Sequence, residues 1–520
     1  VGDAIMGARP SSFVQEDKPV LAPVWGWSGQ QEKIFDWFEG PREQPRDTLI
    51  QHLVVRARAG TGKTTTIIEG VNRAPESFIL VCAFNKRIAE ELNKRISNHA
   101  AEAKTLHAVG FAAVRRQWRG IKVAEGSTRA DSLTDTVVPK DCPKPIRRLV
   151  SQLHTKARDM MPLTPDIATL TALALEFDYV PDEGWTSYGL EFVVARAQEA
   201  MSIAASQDPT YDIGIDFADM IYLPLVWKLL QPEYDLVVVD EAQDLTLAQL
   251  TIAQRICNGR ICVVGDDKQA IYGFRGADSG SLDRLKRELG AAELPLTTTY
   301  RCCQAVVKRA QKLVPDIIAG PTNPEGVVDA IEGVEALLEA AEAGQFILSR
   351  LNAPLVSITL QLLKRKKRAR MAGRDIAAGI QAVLRKITGN DPRSVVSMVT
   401  LSLRLDAWEA KTVTRFANFG QVQLIDRTHD QADMIRALAQ DAESIEDLQN
   451  RIDWLFSDET EDHKMILCSS VHKAKGLEAE RVYVLQESFY RREVSAEEQN
   501  IEYVANTRAK NHLTIVMGVL

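Results

Sequence analysis

A chain of 520 residues, 45% hydrophobic and 26% charged, holds enough apolar material for several buried cores. At roughly 150 residues per domain, about three or four units are expected. The 63 Lys and Arg against 70 Asp and Glu leave a net charge of −7, which excludes a globally basic nucleic-acid binder and confines any such binding to a local groove.

Along the chain, "HLVVRARAGTGKTTTIIEGVNR" is a β-branched apolar run, a glycine loop and a helical pattern. "SFILVCAFNKRIAEELNKRI" repeats that order, "YDLVVVDEAQDLTLAQLTIAQRI" does so again, and "GRICVVGDDKQAIYGF" supplies another buried strand. "HKMILCSSVHKAKGLEAERVYVL" and "HLTIVMGVL" add strands near the end. Near-continuous apolar strands alternating with helices predict an α/β protein: two units of parallel sheet covered on both faces. The stretches around 112–215 and 375–460 are helix-rich and read as insertions into those units. No apolar run approaches the roughly 18 residues that cross a bilayer. The first residues lack the cationic flank and apolar core of a secretory signal, so no membrane partner is expected. Seven scattered cysteines without a CxxC pair point to reduced thiols in a cytosol-like compartment, not to a zinc or iron–sulfur site.

Chemistry concentrates at two places. In "RARAGTGKTTT", Gly60 and Gly62 allow a tight turn with inward N–H groups, and the helix that follows offers its positive end to an anion. Lys63 would reach β- and γ-phosphates and the Thr64 hydroxyl would ligate Mg²⁺. Ala57 stands where the strict phosphate-loop pattern has its first glycine. At the end of "LVVVDEAQD", Asp240 would hold the metal and Glu241 would orient and deprotonate an attacking water. Together these predict a nucleoside triphosphatase.

With "DEAQD" the sequence resembles the superfamily 1 helicases of the UvrD/Rep/PcrA type, and the resemblance runs in order along nearly the whole chain. "WSGQQ" resembles their Q motif, "CAFNKRIAEEL" motif Ia, "TLHAVGF" motif Ib, "VVGDDKQAIYGFRGA" motif III, "LTTTYR" motif IV, "SSVHKAKGLEAERVYVL" motif V and "IEYVANTRAKNHLTIV" motif VI. The resemblance implies two RecA-like P-loop NTPase domains with mainly helical inserted subdomains. Lobe 1A would be 1–111 and 212–295, inserted subdomain 1B 112–211, lobe 2A 296–375 and 462–520, and a short inserted subdomain 2B 376–461. It implies ATP and Mg²⁺ as cofactors. Ala59, Gly60, Thr61, Gly62, Lys63, Thr64 and Thr65 would cradle the phosphates, Gln31 would read the adenine edge, Tyr300 would stack on it, and Glu478 would join the nucleotide set. Gln269 would sense the γ-phosphate, and Arg301 and Arg508 would bring positive charge from the second lobe. The implied partners are single-stranded DNA and single-strand/duplex junctions, met through Phe84, Asn85, His107, Tyr272, Phe274, Arg275, His472 and Lys475. Phe274 occupies a place where the family commonly has a stacking tryptophan. The run "KRKKRAR" (364–370) is as compatible with phosphate contact as with a solvated face. A cytoplasmic, 3′-to-5′ motor is the expectation, nucleoid-associated in a bacterium or phage and nuclear in a eukaryote. A translocase that strips proteins, a switch ATPase that does not move, and an RNA-directed motor stand as alternatives.

Overall fold

The structure, a computed structural model, describes residues 26–40, 52–181, 187–206, 214–271, 281–389, 397–456, 464–489 and 495–519. Strands β1 (Leu53–Ala57), β2 (Ile79–Ala83), β3 (Ala101–Thr105), β4 (Tyr234–Val239), β5 (Cys257–Gly265) and β6 (Ala292–Leu296) form a parallel sheet in the order β3-β2-β4-β5-β1-β6. The inner strands are apolar nearly throughout because both faces are covered. Leu53, Val55 and Ala57 pack with Val81, Val238 and Val264 on one face, while Val54 packs with Leu80, Val237 and Val263 on the other. The two-residue period of a strand produces that division.

After a short ladder of β7 (Thr298–Thr299) with β8 (Ile318–Ala319), a second parallel sheet follows. It consists of β9 (Val327–Glu332), β10 (Phe346–Ser349), β11 (Ala369–Met371), β12 (Ile466–Ser470), β13 (Ala479–Leu485) and β14 (Ala509–Met517), in the order β11-β12-β10-β13-β14-β9. Two RecA-like α/β lobes result. Sequence patterning missed the edge strands β3, β6, β9 and β11, which are short or half polar and in β6 carry Pro295, and also the two-residue β7 and β8 and the four-residue inner strand β10.

The helices between β3 and β4 build their own core from residues such as Val150, Leu153, Val193, Ala197 and Tyr222. A buried ionic group, Arg129–Asp219 at 3.1 Å and Arg158–Asp216 at 2.8 Å, fixes their inner side. The expected boundary at 111/112 falls inside the helix Leu106–Gln117, and that at 375/376 inside the helix Arg374–Thr388. Among the described residues the second insertion has no separate core: Ile380, Leu401, Ile435 and Ile452 join Ile347, Ile466 and Tyr483 in one cluster. Asp430, from the inserted helix Val422–Ala439, reaches the lobe and accepts from the N–H groups of Asn352 and Ala353 at 2.9 and 2.8 Å, capping the helix Ala353–Lys364. In the basic run, Lys364 pairs with Asp441 at 2.5 Å, Arg365 pairs with Glu335, and Lys367 donates to the carbonyls of Glu339 and Ala341. Those positions serve helix termination and surface pairing. No helix of the described residues is long and apolar enough to cross a membrane.

Gly110 marks a close approach of the helices Leu106–Gln117 and Asp219–Val226, which flank the first insertion: a Cβ there would overlap the Met220 carbonyl oxygen. Gly110→Ala is therefore expected to destabilise the protein by about 1–3 kcal/mol, read as a lowered urea midpoint at unchanged slope.

Candidate functional site

The carboxyl ends of β1, β5 and β4 lie side by side, with β5 in the middle. Open parallel sheets bind ligands at this edge. The loop after β1 turns through Gly60 (φ 71°) and Gly62 (φ 79°), both left-handed conformations that favour glycine. The Thr61 hydroxyl closes the turn on the Arg58 carbonyl at 2.8 Å. Gly62 is the N-cap of the helix Lys63–Arg73 and brings no side-chain cap, so the opening N–H groups of that helix are left to another acceptor. Ala59 is fully buried, and Lys63, Thr64 and Thr65 are half-buried in the first turn. Gln31 is buried beside the loop. Its Oε1 accepts from the N–H and hydroxyl of Ser28 at 3.0 and 3.1 Å and its Nε2 donates to Thr66 Oγ1 at 3.0 Å, so here it caps its own helix and braces the next.

Lys63 Nζ lies 2.8 Å from Glu241 Oε2. Burial disfavours the ammonium charge, but Glu241, Asp266 and Asp240 outweigh it and raise the lysine above its ordinary value. Burial also pushes the Asp240 carboxyl up, with adjacent Glu241 adding to the shift against the pull of Lys63. Glu241 goes the other way: burial would raise it, yet Lys63 and Lys475 hold it well below the carboxylate range. Glu241 also sits at φ 49°, a left-handed backbone that costs a non-glycine residue about 1–2 kcal/mol. Thr64 Oγ1 is 3.5 Å from Asp240 Oδ2. A hydroxyl and a buried carboxylate that resists its own charge suit a small hard cation that takes its other oxygens from phosphate and water. These residues fit Mg²⁺.

The second lobe closes on this edge. The Tyr300 N–H donates to the Gly60 carbonyl at 2.9 Å, and a Cβ on Gly60 would stand 2.5 Å from Arg301 Cβ. Arg301 Nε pairs with Glu478 at 2.6 Å, and Lys510 meets the same carboxylate at 2.9 Å. Arg508 is 1% exposed and donates to the carbonyls of Val504 and Leu477 and, at 3.5 Å, to Gln269 Oε1. Among the described residues no carboxylate pairs with it. Burial, and then the charge of Arg301, lower its guanidinium to about 10. A buried cation held by carbonyls has unspent affinity for an anion. Gln269 joins the halves: its Nε2 donates to Asp266 at 2.6 Å and its carbonyl accepts from Lys475.

For nucleic acid, Phe84 and His107 follow β2 and β3 at adjacent positions, since Ala83 pairs with Thr105. Phe84 is 46% exposed, and His107 packs 5.9 Å from Phe217, itself 66% exposed. Asn85 is the N-cap of the helix Lys86–Arg95, its Oδ1 accepting from the Ile88 N–H. His472 is half-buried in the short helix Val471–Ala474. The Lys475 side chain is 9% exposed and lies between the lobes, 2.6 Å from Asp244, so in this structure it is an ion-pair member of the seam. The buried carboxylate of Asp244, pushed up to about 6 by burial, is what draws it inward. Tyr272, Phe274 and Arg275 lie outside the described residues.

Several contributors had no motif reading. Gln243 bridges Glu241 (2.6 Å) to the Asp266 N–H (3.0 Å) and is fully buried. Arg58 spans Asp266, Asp267 and Asp316 at 2.8–3.0 Å. Phe217, in "IDFADM", has the apolar character of a core residue, and only exposure distinguishes it.

Comparison with known proteins follows the same outline. The family model for the UvrD/REP helicase N-terminal domain matches residues 41–290, and that for the UvrD-like helicase C-terminal domain matches 397–518. DNA helicase II of Rickettsia typhi is 24% identical over 293 residues, covering 50% of this chain and 42% of the relative. F-box DNA helicase protein 1 of Schizosaccharomyces pombe is 26% identical over 282 residues (50% and 30%). ATP-dependent DNA helicase PcrA of Leuconostoc citreum is 25% identical over 323 residues (56% and 39%). The chain thus spans less than half the length of these relatives.

Lys475→Ala strands Asp244 as a buried carboxylate. The expected cost is roughly 3 kcal/mol, seen as a lower thermal midpoint at neutral pH. An unaltered midpoint with weakened polynucleotide binding would instead support the expected nucleic-acid role of Lys475.

Proposed function

Because this chain belongs to the UvrD/Rep/PcrA-type superfamily 1 helicases, we propose that it is an ATP-dependent DNA helicase whose two RecA-like lobes grip single-stranded DNA and move along it as ATP is hydrolysed between them. What supports this is the convergence at one seam of Lys63, Asp240 and Glu241 from the first lobe with Arg301 and Arg508 from the second.

The resting pairs suggest how the residues act. ATP phosphates compete with Glu241 for Lys63 and with Glu478 for Arg301. Losing Lys63 frees Glu241 to accept a proton from the attacking water. Arg508 and Arg301 then meet charge developing on the γ-phosphoryl group. Mg²⁺, held by Thr64 and Asp240, would neutralise charge on the β- and γ-phosphate oxygens. Gln269, bonded to both Asp266 and Arg508, carries the closing of the seam to the strand-binding edge. There Phe84, His107 and Phe217 offer ring faces suited to stacking on unpaired bases, a sequence-tolerant grip. Movement from 3′ to 5′ is inferred from resemblance to this branch of the family, which the "KAKGLE" wording of motif V favours.

ATP turnover should rise severalfold with single-stranded DNA. Lys63→Ala should lose at least about 100-fold of that rate, and Glu241→Gln should bind ATP yet stall. Full hydrolysis by either variant removes the corresponding role. Duplexes with a 3′ tail should be separated in preference to those with a 5′ tail. Streptavidin displacement without strand separation would make the protein a stripping translocase, stimulation by RNA alone an RNA motor, and no stimulation by any polymer a switch ATPase.

A further inference from the structure

One helix of the second lobe, Ala496–Asn506, holds the phosphate loop by a bond outside the motif readings above. The Ala59 N–H donates to Tyr503 Oη at 3.0 Å, and both residues are 0% exposed. One turn earlier, Asn500 Nδ2 donates to the carbonyls of Asp267 and Ala270 at 3.1 and 3.2 Å, on the loop that carries Gln269. At the helical repeat, Asn500, Tyr503 and Thr507 share one face, and Glu498 and Glu502 share the opposite one. The opposite face is tied into the second lobe, by Glu498 to Arg350 at 2.8 Å and by Glu502 to Arg309 at 3.0 Å. Arg508 follows directly, so whatever moves this helix moves the arginine. The helix is therefore bolted to its own lobe on one side and hydrogen-bonded to the phosphate loop and the Gln269 loop on the other.

We propose that Tyr503 is a positioning residue for ATP hydrolysis: its hydroxyl fixes the shoulder of the phosphate loop relative to Arg508, with Asn500 setting the neighbouring loop in the same register. The proposal rests on the ATPase reading above and adds to it a group that need touch neither nucleotide nor metal. Ala59 precedes the turn at Gly60, so its amide sets where that turn begins. Without the hydroxyl, the Ala59 N–H is a buried donor with no acceptor, and the loop is released to seek another. Loop charge and the Lys63 contact survive, so ground-state affinity for ATP changes little. Alignment against the second-lobe arginines suffers, and that interaction is realised in the transition state.

The test is Tyr503→Phe, which removes one oxygen and keeps the ring. Steady-state ATP turnover is measured with saturating single-stranded DNA, beside the thermal midpoint. The expected result is a kcat lowered about fivefold with KM for ATP within about twofold of wild type. Hydrogen exchange at residues 59–63 should also quicken. Equal kcat in the variant and wild type, in folded protein, overturns the proposal, as does a loss confined to KM. Should the phenylalanine variant melt below the assay temperature, Asn500→Ala loosens the same helix face and must show the same kcat-selected loss, or the proposal fails. A wild-type protein that does not hydrolyse ATP sinks the ATPase reading itself, whereas an active wild type matched by Tyr503→Phe sinks the role of Tyr503 alone.

Discussion

The phosphate loop of this protein is built against its second lobe. Gly60 has no Cβ because Arg301 Cβ and Thr299 Oγ1 already occupy that space, 2.5 and 2.6 Å from where it would stand. The same residue accepts a backbone hydrogen bond from Tyr300. Ala59 belongs to the apolar cluster of the second lobe, packed with residues such as Val306, Val471 and Tyr503. A loop so placed cannot change shape without pressing on both halves of the chain. Interfaces packed at this density have discrete arrangements and resist continuous deformation.

Charge is arranged to match. Lys63 faces Glu241, Arg301 faces Glu478, Lys475 faces Asp244, and Arg58 faces three aspartates, all at or near the seam. Each pair gives up hydration and recovers it through a close partner, so the seam is stable as it stands yet poised for exchange with a more highly charged guest. Arg508 departs from this pattern, a buried guanidinium satisfied by carbonyls and an amide. Burial, and then the neighbouring charge of Arg301, lower its proton affinity, and a polyphosphate would offset both.

Much of the α/β architecture was legible in the sequence because inner parallel strands are apolar on both faces: "LVVRA", "ILVCA" and "YDLVVV" declare themselves. Edge strands such as "AEAKT" and "VVDAIE" do not, since one side of each meets water and loses the pattern. Around the loop, glycines, lysine and adjacent carboxylates are conspicuous because each is expensive to place there. Tyr503 and Gln243 are not, because a tyrosine in an apolar helix and a glutamine after two acids have ordinary explanations until partners across the seam are seen. The pairing of Lys475 was hidden for a related reason: its buried partner, Asp244, lies 231 residues away in sequence.

Asp430 has a mechanical corollary. The second insertion shares its apolar core with the lobe and also lends a carboxylate to the first turn of the helix Ala353–Lys364. A swivel of that insertion as a rigid paddle would tear this carboxylate from two amides and split a continuous oil drop. The natural pivot therefore lies farther out, among the inserted helices themselves, and the inner part should travel with its lobe as one piece.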